Sequence, residues 1–457
     1  MNPELLAKYD GVRVPRYTSY PTAPHFNDAV DEVRALSWLG GLGELNGGTT
    51  ASIYLHIPFC HSMCWYCGCH TWVVSRYQPV ADYLELLKRE IALIATAVPG
   101  RLRVGHLHWG GGTPNMVRPD DFSAIMAMIR HGFDLIDGAR IAVEIDPRSL
   151  TVEHVRAMAA AGVNRASLGV QDFDAGSQRA VNRIQPFEMT ANAVETLRAG
   201  GITAINFDLM YGLPLQTVET CRRSAELALT LRPQRMAVFG YAHVPWMKKH
   251  QNRINEAELP DGITRWRQFA AIADTLNLAG LQSIGIDHFA VPEDELAVAQ
   301  RAGRLRRNFQ GYTADCAEVL IGLGASAIGA MPLGYVQNAP DFSNYEALIS
   351  DGHLAVTRGL VLSVEDRLRR EVIERLMCDL GVDLELVTAR HGFAADHFDA
   401  VLPRLAALAA DGALELRGRR LTVPEAARPL IRLSAAAFDT YLAPSQDAGA
   451  ARHSRAI

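Results

Sequence analysis

No uncharged apolar run in this chain approaches the ~20 residues that a membrane-spanning helix needs, and its first ten residues carry no apolar core of the kind a secretory leader requires. Those two absences predict a cytoplasmic protein with no membrane partner. Positive charge is not in excess either: 45 Lys and Arg stand against 50 Asp and Glu, a formal net charge of −5. A nucleic-acid partner therefore has no electrostatic footprint here. Seven cysteines among 457 residues are too few for a disulfide scaffold. No segment repeats, and no surface feature demands an oligomer, so a monomer is expected. What is present is a 49% hydrophobic, 21% charged composition, enough for a large core and more than one domain.

Four of the cysteines lie in one run, Tyr54-Leu-His-Ile-Pro-Phe-Cys-His-Ser-Met-Cys-Trp-Tyr-Cys-Gly-Cys69. Cys60, Cys64 and Cys67 have the spacing C-x3-C-x2-C. Three such thiolates can hold three irons of a [4Fe–4S] cube. Clusters normally take four thiolates, so one iron is left open, and an open metal position is where chemistry happens. Zinc and plain burial are the competing uses. Zinc sites usually pair C-x2-4-C with a second Cys/His pair well downstream. Here the thiols share one loop, and Cys221, Cys316 and Cys378 are scattered in the manner of ordinary core cysteines. The run, placed just after a strand, resembles the signature of the radical S-adenosylmethionine (SAM) enzymes. That resemblance implies that the open iron binds the amino and carboxylate groups of SAM, and that one electron cleaves SAM to methionine and a 5′-deoxyadenosyl radical. On spacing alone, Cys69 is either a functional free thiol or an incidental one.

Residues 51–290 alternate short apolar runs with amphipathic stretches. Strands are expected at Ser52–Ile57, His106–Trp109, Ile141–Ile145, Ala166–Val170, Ala204–Leu209, Met236–Tyr241 and Gln282–Ile286, with helical patterns such as Val80–Ala97 between them. Repeated βα units of about 30 residues imply a parallel sheet. Most of the unusual polar motifs follow a strand: the cysteine loop, Gly110–Gly112, Glu144 and Asp146, Gln171, Asp208, His243 and Asp287. Active sites of (β/α) barrels collect at the C-terminal strand ends, which favours a barrel. The expected fold is therefore α/β: a partial (β/α)6-type barrel over 51–345, preceded by an extension over 1–50 that contacts the active site. A mostly helical, winged-helix-like domain follows over 346–443, with helices at Val364–Leu380 and Asp396–Ala410 and a hairpin around Gly418. A disordered tail is expected over 444–457. Pro15–Thr22 reads as an ordered extended segment that crosses the barrel mouth and presents Arg16, Tyr17 and Tyr20.

Three glycines at 110–112 let backbone approach a ligand closely and offer it amide groups; alone they also describe a tight βα turn. Glu144 can accept hydrogen bonds from ribose hydroxyls, as the acidic residue of dinucleotide sites does. Asp146, with Pro147 after it, fits a helix N-cap. Gln171, Arg183 and Asp208 are polar positions on or near the same rim, each equally readable as an ordinary surface residue. His56 reads as a satisfied core histidine rather than a ligand. His106 and His108 share one strand face but lack a third zinc ligand at suitable spacing.

Eight motifs in order, from PRYTSYPT (15–22) through YLHIPFCHSMCWYCGC (54–69), HWGGGTP (108–114), EIDPR (144–148), LGVQDF (168–173), INFDLMYGLP (205–214) and IDHFA (286–290) to RNFQGYT (307–313), resemble the oxygen-independent coproporphyrinogen III oxidases (dehydrogenases) of haem biosynthesis. The resemblance runs over essentially the whole chain. It implies a [4Fe–4S] cluster on Cys60, Cys64 and Cys67 and two SAM molecules. Tyr54, Tyr66, Gly111 and Glu144 match positions around the cluster-bound SAM. Gly112, Thr113, Gln171, Arg183, Asp208, Ala242 and Ile328 match those around the second. It implies catalytic parts for Cys69 and Glu144, and oxidative decarboxylation of two propionates of coproporphyrinogen III to vinyl groups, giving protoporphyrinogen IX. An electron donor and an electron acceptor are needed besides. The substrate carries four carboxylates, which bidentate arginines position well; Arg16 and Arg307 are the candidates. A related haem-binding chaperone is the alternative, but that relative lacks the fourth cysteine and the PRYTSYPT segment, and this chain has both.

Overall fold

In the computed structural model, six strands lie side by side in chain order: β1 (Ala51–Ile57), β2 (Arg103–Gly111), β3 (Asp134–Ile145), β4 (Arg165–Gln171), β5 (Ala204–Tyr211) and β6 (Arg235–Gly240). Each pairs in parallel with the next. Helices Gln78–Ala97, Pro119–Gly132, Val152–Ala160, Phe187–Ala199 and Val218–Thr230 connect them. The description covers residues 5, 8, 9, 11–45 and 50–442, so the expected tail over 444–457 lies outside it.

Strand alternation sorts the side chains. Ile53, Leu55 and Ile57 of β1 and Ile205, Phe207 and Leu209 of β5 enter the main core with the helices. Tyr54 and His56, Asn206 and Asp208 are left for the opposite, concave face. This is the expected α/β barrel of (β/α)6 type, and the polar residues at its rim are there because a helix-facing position would bury them in hydrocarbon.

The sheet continues beyond the six strands. At one edge β7 (Gln282–Ile284) and β8 (His288–Ala290) form a hairpin, and β8 pairs antiparallel with β6. The expected strand Gln282–Ile286 is thus shorter and does not continue the parallel series. At the other edge β9 (Val319–Leu323) runs parallel to β1, and β10 (Ile328–Met331), β11 (Gly334–Asn338) and β12 (Val356–Val361) follow as an antiparallel meander. β12 lies inside the stretch 346–443 that was expected to form a mostly helical domain; its pairing with β11 holds it to the barrel sheet, and the Asn27–Gly359 bridge ties the N-terminal segment to it.

The C-terminal region contains helices Val364–Asp379, Leu384–Arg390, Leu402–Ala410 and Ile431–Ala436 beside a small three-stranded sheet. Ser363 starts the first helix with a capping box to Asp366. The helix expected from Asp396 begins only at Leu402, after a single turn at Asp399–Val401. The N-terminal segment is shared: Val14, Tyr17 and Tyr20 enter this region's core, while Val30, Ala35, Trp38 and Leu39 pack into the barrel core. Tyr17 Oη donates to Asp439 at 3.0 Å, and Tyr20 Oη lies 3.0 Å from Thr440 Oγ1. Both tyrosines are therefore buried in a core rather than presented at the mouth, each phenol with the hydrogen-bond partner that a buried tyrosine usually finds. Arg16 reaches the barrel through its side chain, donating to Gly240 O at 2.9 Å, and Tyr20 through its carbonyl, which accepts from Tyr335 Oη at 3.1 Å. Cys221 and Cys378 are buried as expected, but Cys316 is exposed.

Candidate active site

β1 ends at Ile57, and a short ladder of Phe59–Cys60 with Trp72–Val73 closes the base of the cysteine loop. Thr71 Oγ1 donates to the Cys60 sulfur at 3.2 Å, and Thr113 Oγ1 lies 3.3 Å from it. Arg183 Nη1 and Arg148 Nη2 donate to the Cys64 sulfur at 3.6 and 3.8 Å. Burial pushes the Cys60 thiol up, against the two hydroxyls. A hydrogen bond from Cys69 pulls Cys67 down to about 6, with burial opposing and Lys248 and Arg183 assisting. The same bond holds Cys69 in its protonated form. Cys69 itself is exposed. The loop after β6 grips the cysteine loop from behind: His250 Nε2 donates to Cys67 O at 2.7 Å, Lys248 Nζ to Cys69 O at 2.9 Å and Gln251 Nε2 to Tyr66 O at 3.2 Å.

These residues fit a cluster. Among the described residues no three His, Cys, Asp or Glu side chains converge on a point that one ion would fill. A cube makes no such demand, because each thiolate binds its own iron. Donors aimed at the sulfurs favour the thiolate form that ligation needs.

The glycine turn forms a cradle. Gly111 has φ +116, and a Cβ there would lie 2.8 Å from the His56 ring. A Cβ on Gly112 would lie 2.6 Å from Thr71 Oγ1 and 2.7 Å from Phe59 O. Only glycine fits either position.

Glu144, near the end of β3, accepts from Gly111 N at 3.2 Å, and its other oxygen lies 3.0 Å from His108 Nε2. Tyr54 stacks on His108 with ring centroids 5.8 Å apart. Burial pushes His56 down to about 4, so it is neutral. Its Nε2 donates to His70 O at 3.1 Å, which leaves Nδ1 to accept from Tyr54 Oη at 3.0 Å. His56 is thus a satisfied core residue.

Asp146 accepts from Arg148 N at 3.0 Å, as an N-cap does, and also pairs with Arg148 Nη2 at 2.6 Å and Arg183 Nη1 at 3.5 Å. Burial acts to raise its carboxyl, but the Arg148 bonds and the Arg183 charge hold it below the usual range. Arg183 also donates to Gly169 O at 2.6 Å, while its Nε is buried with no hydrogen-bond partner. Gln171 has φ +69, where the register of β4 and β5 slips. Asp208 is bonded by Asn206 Nδ2 at 3.0 Å and Ser167 Oγ at 3.2 Å. Burial, with the Glu144 charge adding to it, pushes the Asp208 carboxyl up to about 6.

One cavity of about 180 Å³ is lined by Cys60, Cys64, Cys67, Cys69, Tyr66, Gly111, Gly112, Thr113, Glu144, Gln171, Arg183 and Asp208. Tyr54 stands beside it, next to Glu144 at Gly110. Ala242 and Arg16 line a second cavity of about 680 Å³. Arg307 lines a third, of about 400 Å³; its guanidinium lies 4.4 Å from the Tyr312 ring centroid, and its Nε and Nη1 are buried without hydrogen-bond partners. Ile328, at the start of β10, packs against a small cluster around Phe26 and Tyr335 and lines none of the three. Arg148, Thr71, Lys248 and His250 are site residues that pattern reasoning missed. Arg148 was visible in the EIDPR motif but overshadowed by its carboxylates; Thr71 lies just after the cysteine run but is a common residue type, and Lys248 and His250 carry no sequence signal, since they act through backbone contacts made by a distant loop.

The radical SAM superfamily model matches residues 54–228, and the HemN C-terminal domain model matches residues 362–430. The oxygen-independent coproporphyrinogen III oxidase of Bradyrhizobium diazoefficiens is 51% identical over 457 residues, covering 100% of both chains. That of Paracoccus denitrificans is 43% identical over 454 residues, covering 99% of this chain and 98% of the relative. Among solved structures, the coproporphyrinogen III oxidase of Escherichia coli, a radical SAM enzyme, superposes with a TM-score of 0.88 at 38% identity, covering 93% of this chain and 98% of its own.

Proposed function

This chain belongs to the oxygen-independent coproporphyrinogen III oxidases of the radical SAM superfamily, and we propose that it turns two propionates of coproporphyrinogen III into vinyl groups using a three-thiolate cluster and two SAM molecules. It is a radical SAM oxidoreductase. The observation that supports the residue assignments best is that side chains from the cysteine loop, the glycine turn and β3, β4 and β5 meet in one cavity.

When bound, the cluster supplies the electron that cleaves SAM into methionine and a 5′-deoxyadenosyl radical. Cys60, Cys64 and Cys67 hold it; Thr71, Arg148 and Arg183 donate to their sulfurs, and Thr113 Oγ1 lies within hydrogen-bond distance of Cys60. Tyr54, Tyr66, Gly111 and Glu144 bind the first SAM; Glu144, already oriented by Gly111 N and His108, accepts from the ribose. Gly112, Thr113, Gln171, Arg183 and Asp208 bind the second, with Ala242 approaching from the larger cavity; for Ile328 the motif match is the only support. Cys69 keeps its proton beside Cys67 and takes part in catalysis without ligating iron. Arg16 and Arg307 bind substrate carboxylates, and the two unpartnered nitrogens of Arg307 support its share. Positioning the reacting carbon and excluding water are the protein's main contributions.

We place the chain in the cytoplasm as a monomer, where reductants keep thiols reduced, with no nucleic-acid or membrane partner and with a separate electron donor and acceptor. No helix of the described residues is long and apolar enough to cross a membrane. We divide it into an N-terminal extension, a barrel unit that includes β12, and a helical C-terminal unit.

Anaerobic incubation of the reconstituted chain with coproporphyrinogen III, SAM and a reductant is expected to yield divinyl product, read by mass. Tight haem binding with no vinyl product would point to the chaperone instead.

A further inference from the structure

The cavity of about 680 Å³ adjoins the SAM cavity: Asp208 and Tyr211, on the same strand β5, line the smaller and the larger respectively. Its volume is that of a site for a large organic ligand. Four arginines from three parts of the chain line it: Arg13 and Arg16 from the N-terminal segment, Arg265 from helix Gly262–Leu278, and Arg432 from helix Ile431–Ala436. Tyr211, Trp246, Trp266 and Phe269 supply aromatic wall.

Backbone and rings fix these guanidiniums. Arg16 Nη2 donates to Gly240 O at 2.9 Å, Arg265 Nη2 to Tyr241 O at 2.8 Å and Arg432 Nη1 to Val14 O at 3.4 Å. Arg13 lies 5.4 Å over the Trp246 ring. Three carboxylates share the wall: Glu256 pairs with His243 at 3.0 Å, Asp261 caps its helix through Thr264 N at 2.7 Å, and Asp287, which bonds His288 at 2.7 Å, also faces the Arg16 and Arg432 charges. Burial and the neighbouring Arg16 charge push Arg432 down to about 10, as expected where cations crowd.

We propose that this cavity seats the tetrapyrrole, with Arg13, Arg16, Arg265 and Arg432 as positioning residues for its carboxylates and the aromatic wall as the bed for its pyrroles. The inference rests on the coproporphyrinogen oxidase reading. It adds a consequence: substrate brings four carboxylates and product keeps two, so each decarboxylation removes anchors and the finished product is released. Arg432 comes from the C-terminal helices, so the seat is complete only when they are docked.

The test is equilibrium titration of the cluster-loaded, SAM-bound chain with coproporphyrin III and with protoporphyrin IX, the stable oxidised forms, followed by tryptophan quenching. The wild type is expected to prefer the tetracarboxylate by about tenfold or more. Arg265→Gln and Arg432→Gln should each weaken coproporphyrin III by about tenfold, since a hydrogen bond to a charged group is worth ~1.5–3 kcal/mol, and should narrow the preference; Arg432→Lys should recover part of it. Cluster absorbance checks folding. Should the Arg432 variant not fold, Arg13→Gln and Arg16→Gln, on exposed side chains, carry the test. Folded variants that keep wild-type affinity, or lose both porphyrins equally, overturn the proposal even if the wild type makes vinyl product. A wild type that selects the tetracarboxylate yet makes no vinyl product overturns the functional reading and leaves the seat standing.

Discussion

Alanine at Cys60, Cys64 or Cys67 is expected to remove the iron–sulfur absorbance and reduce SAM cleavage to background in each single variant. Three ligands leave no redundancy, and the next nearest thiol, Cys69, is engaged as the hydrogen-bond donor to Cys67. The neighbours give an internal control. Thr71→Val removes one donor to the Cys60 sulfur without removing a ligand, so it should retain the cluster. Cys69→Ser should retain it too but turn over slowly. Full SAM cleavage by any of the three alanine variants after anaerobic reconstitution would refute the ligand set. Air should bleach the wild type, because an open iron is accessible to oxygen.

A comparably large effect is expected at the rim carboxylates. Glu144→Ala should weaken the cluster-bound SAM and Asp208→Ala the second, each by about ten- to a hundredfold, the loss of one hydrogen bond to a charged group at ~1.5–3 kcal/mol. Glu144→Gln separates ligand binding from the support that Glu144 gives the Gly111 turn, since the amide oxygen still accepts. Asp208 adds a pH signature. Its carboxyl is raised to about 6 and accepts from a ligand hydroxyl most strongly when ionised, so second-site affinity should be full above that value and fall as pH drops through it. Asp208→Asn should abolish the step. Equilibrium binding to the cluster-loaded chain measures both claims; one SAM per wild-type chain would eliminate the two-site account.

The parallel strands were legible because each couples a buried apolar face to polar rim positions. Ile205, Phe207 and Leu209 go to the core, and Asn206 and Asp208 go to the site. β9, β10 and β11 were not, because Gly322, Gly324, Gly329 and Gly334 interrupt the pattern. These glycines are required by close approach: a Cβ on Gly322 would lie 2.6 Å from Ile328 O. The site's rare residue types were legible for a different reason, namely that three thiols in one loop, or Glu144 at the end of a strand, have few structural uses. Arg148, Thr71 and His250 are common types whose role depends on which loop they meet. Tyr17 and Tyr20 were misjudged because their core partners, Asp439 and Thr440, lie at the far end of the chain, where local pattern carries no information.

The most direct test of the account is the fate of one hydrogen. Coproporphyrinogen III deuterated at the propionate β-carbons, turned over anaerobically with unlabelled SAM, should give 5′-deoxyadenosine carrying deuterium, in step with carbon dioxide release and vinyl formation. Vinyl product formed with unlabelled 5′-deoxyadenosine would contradict it.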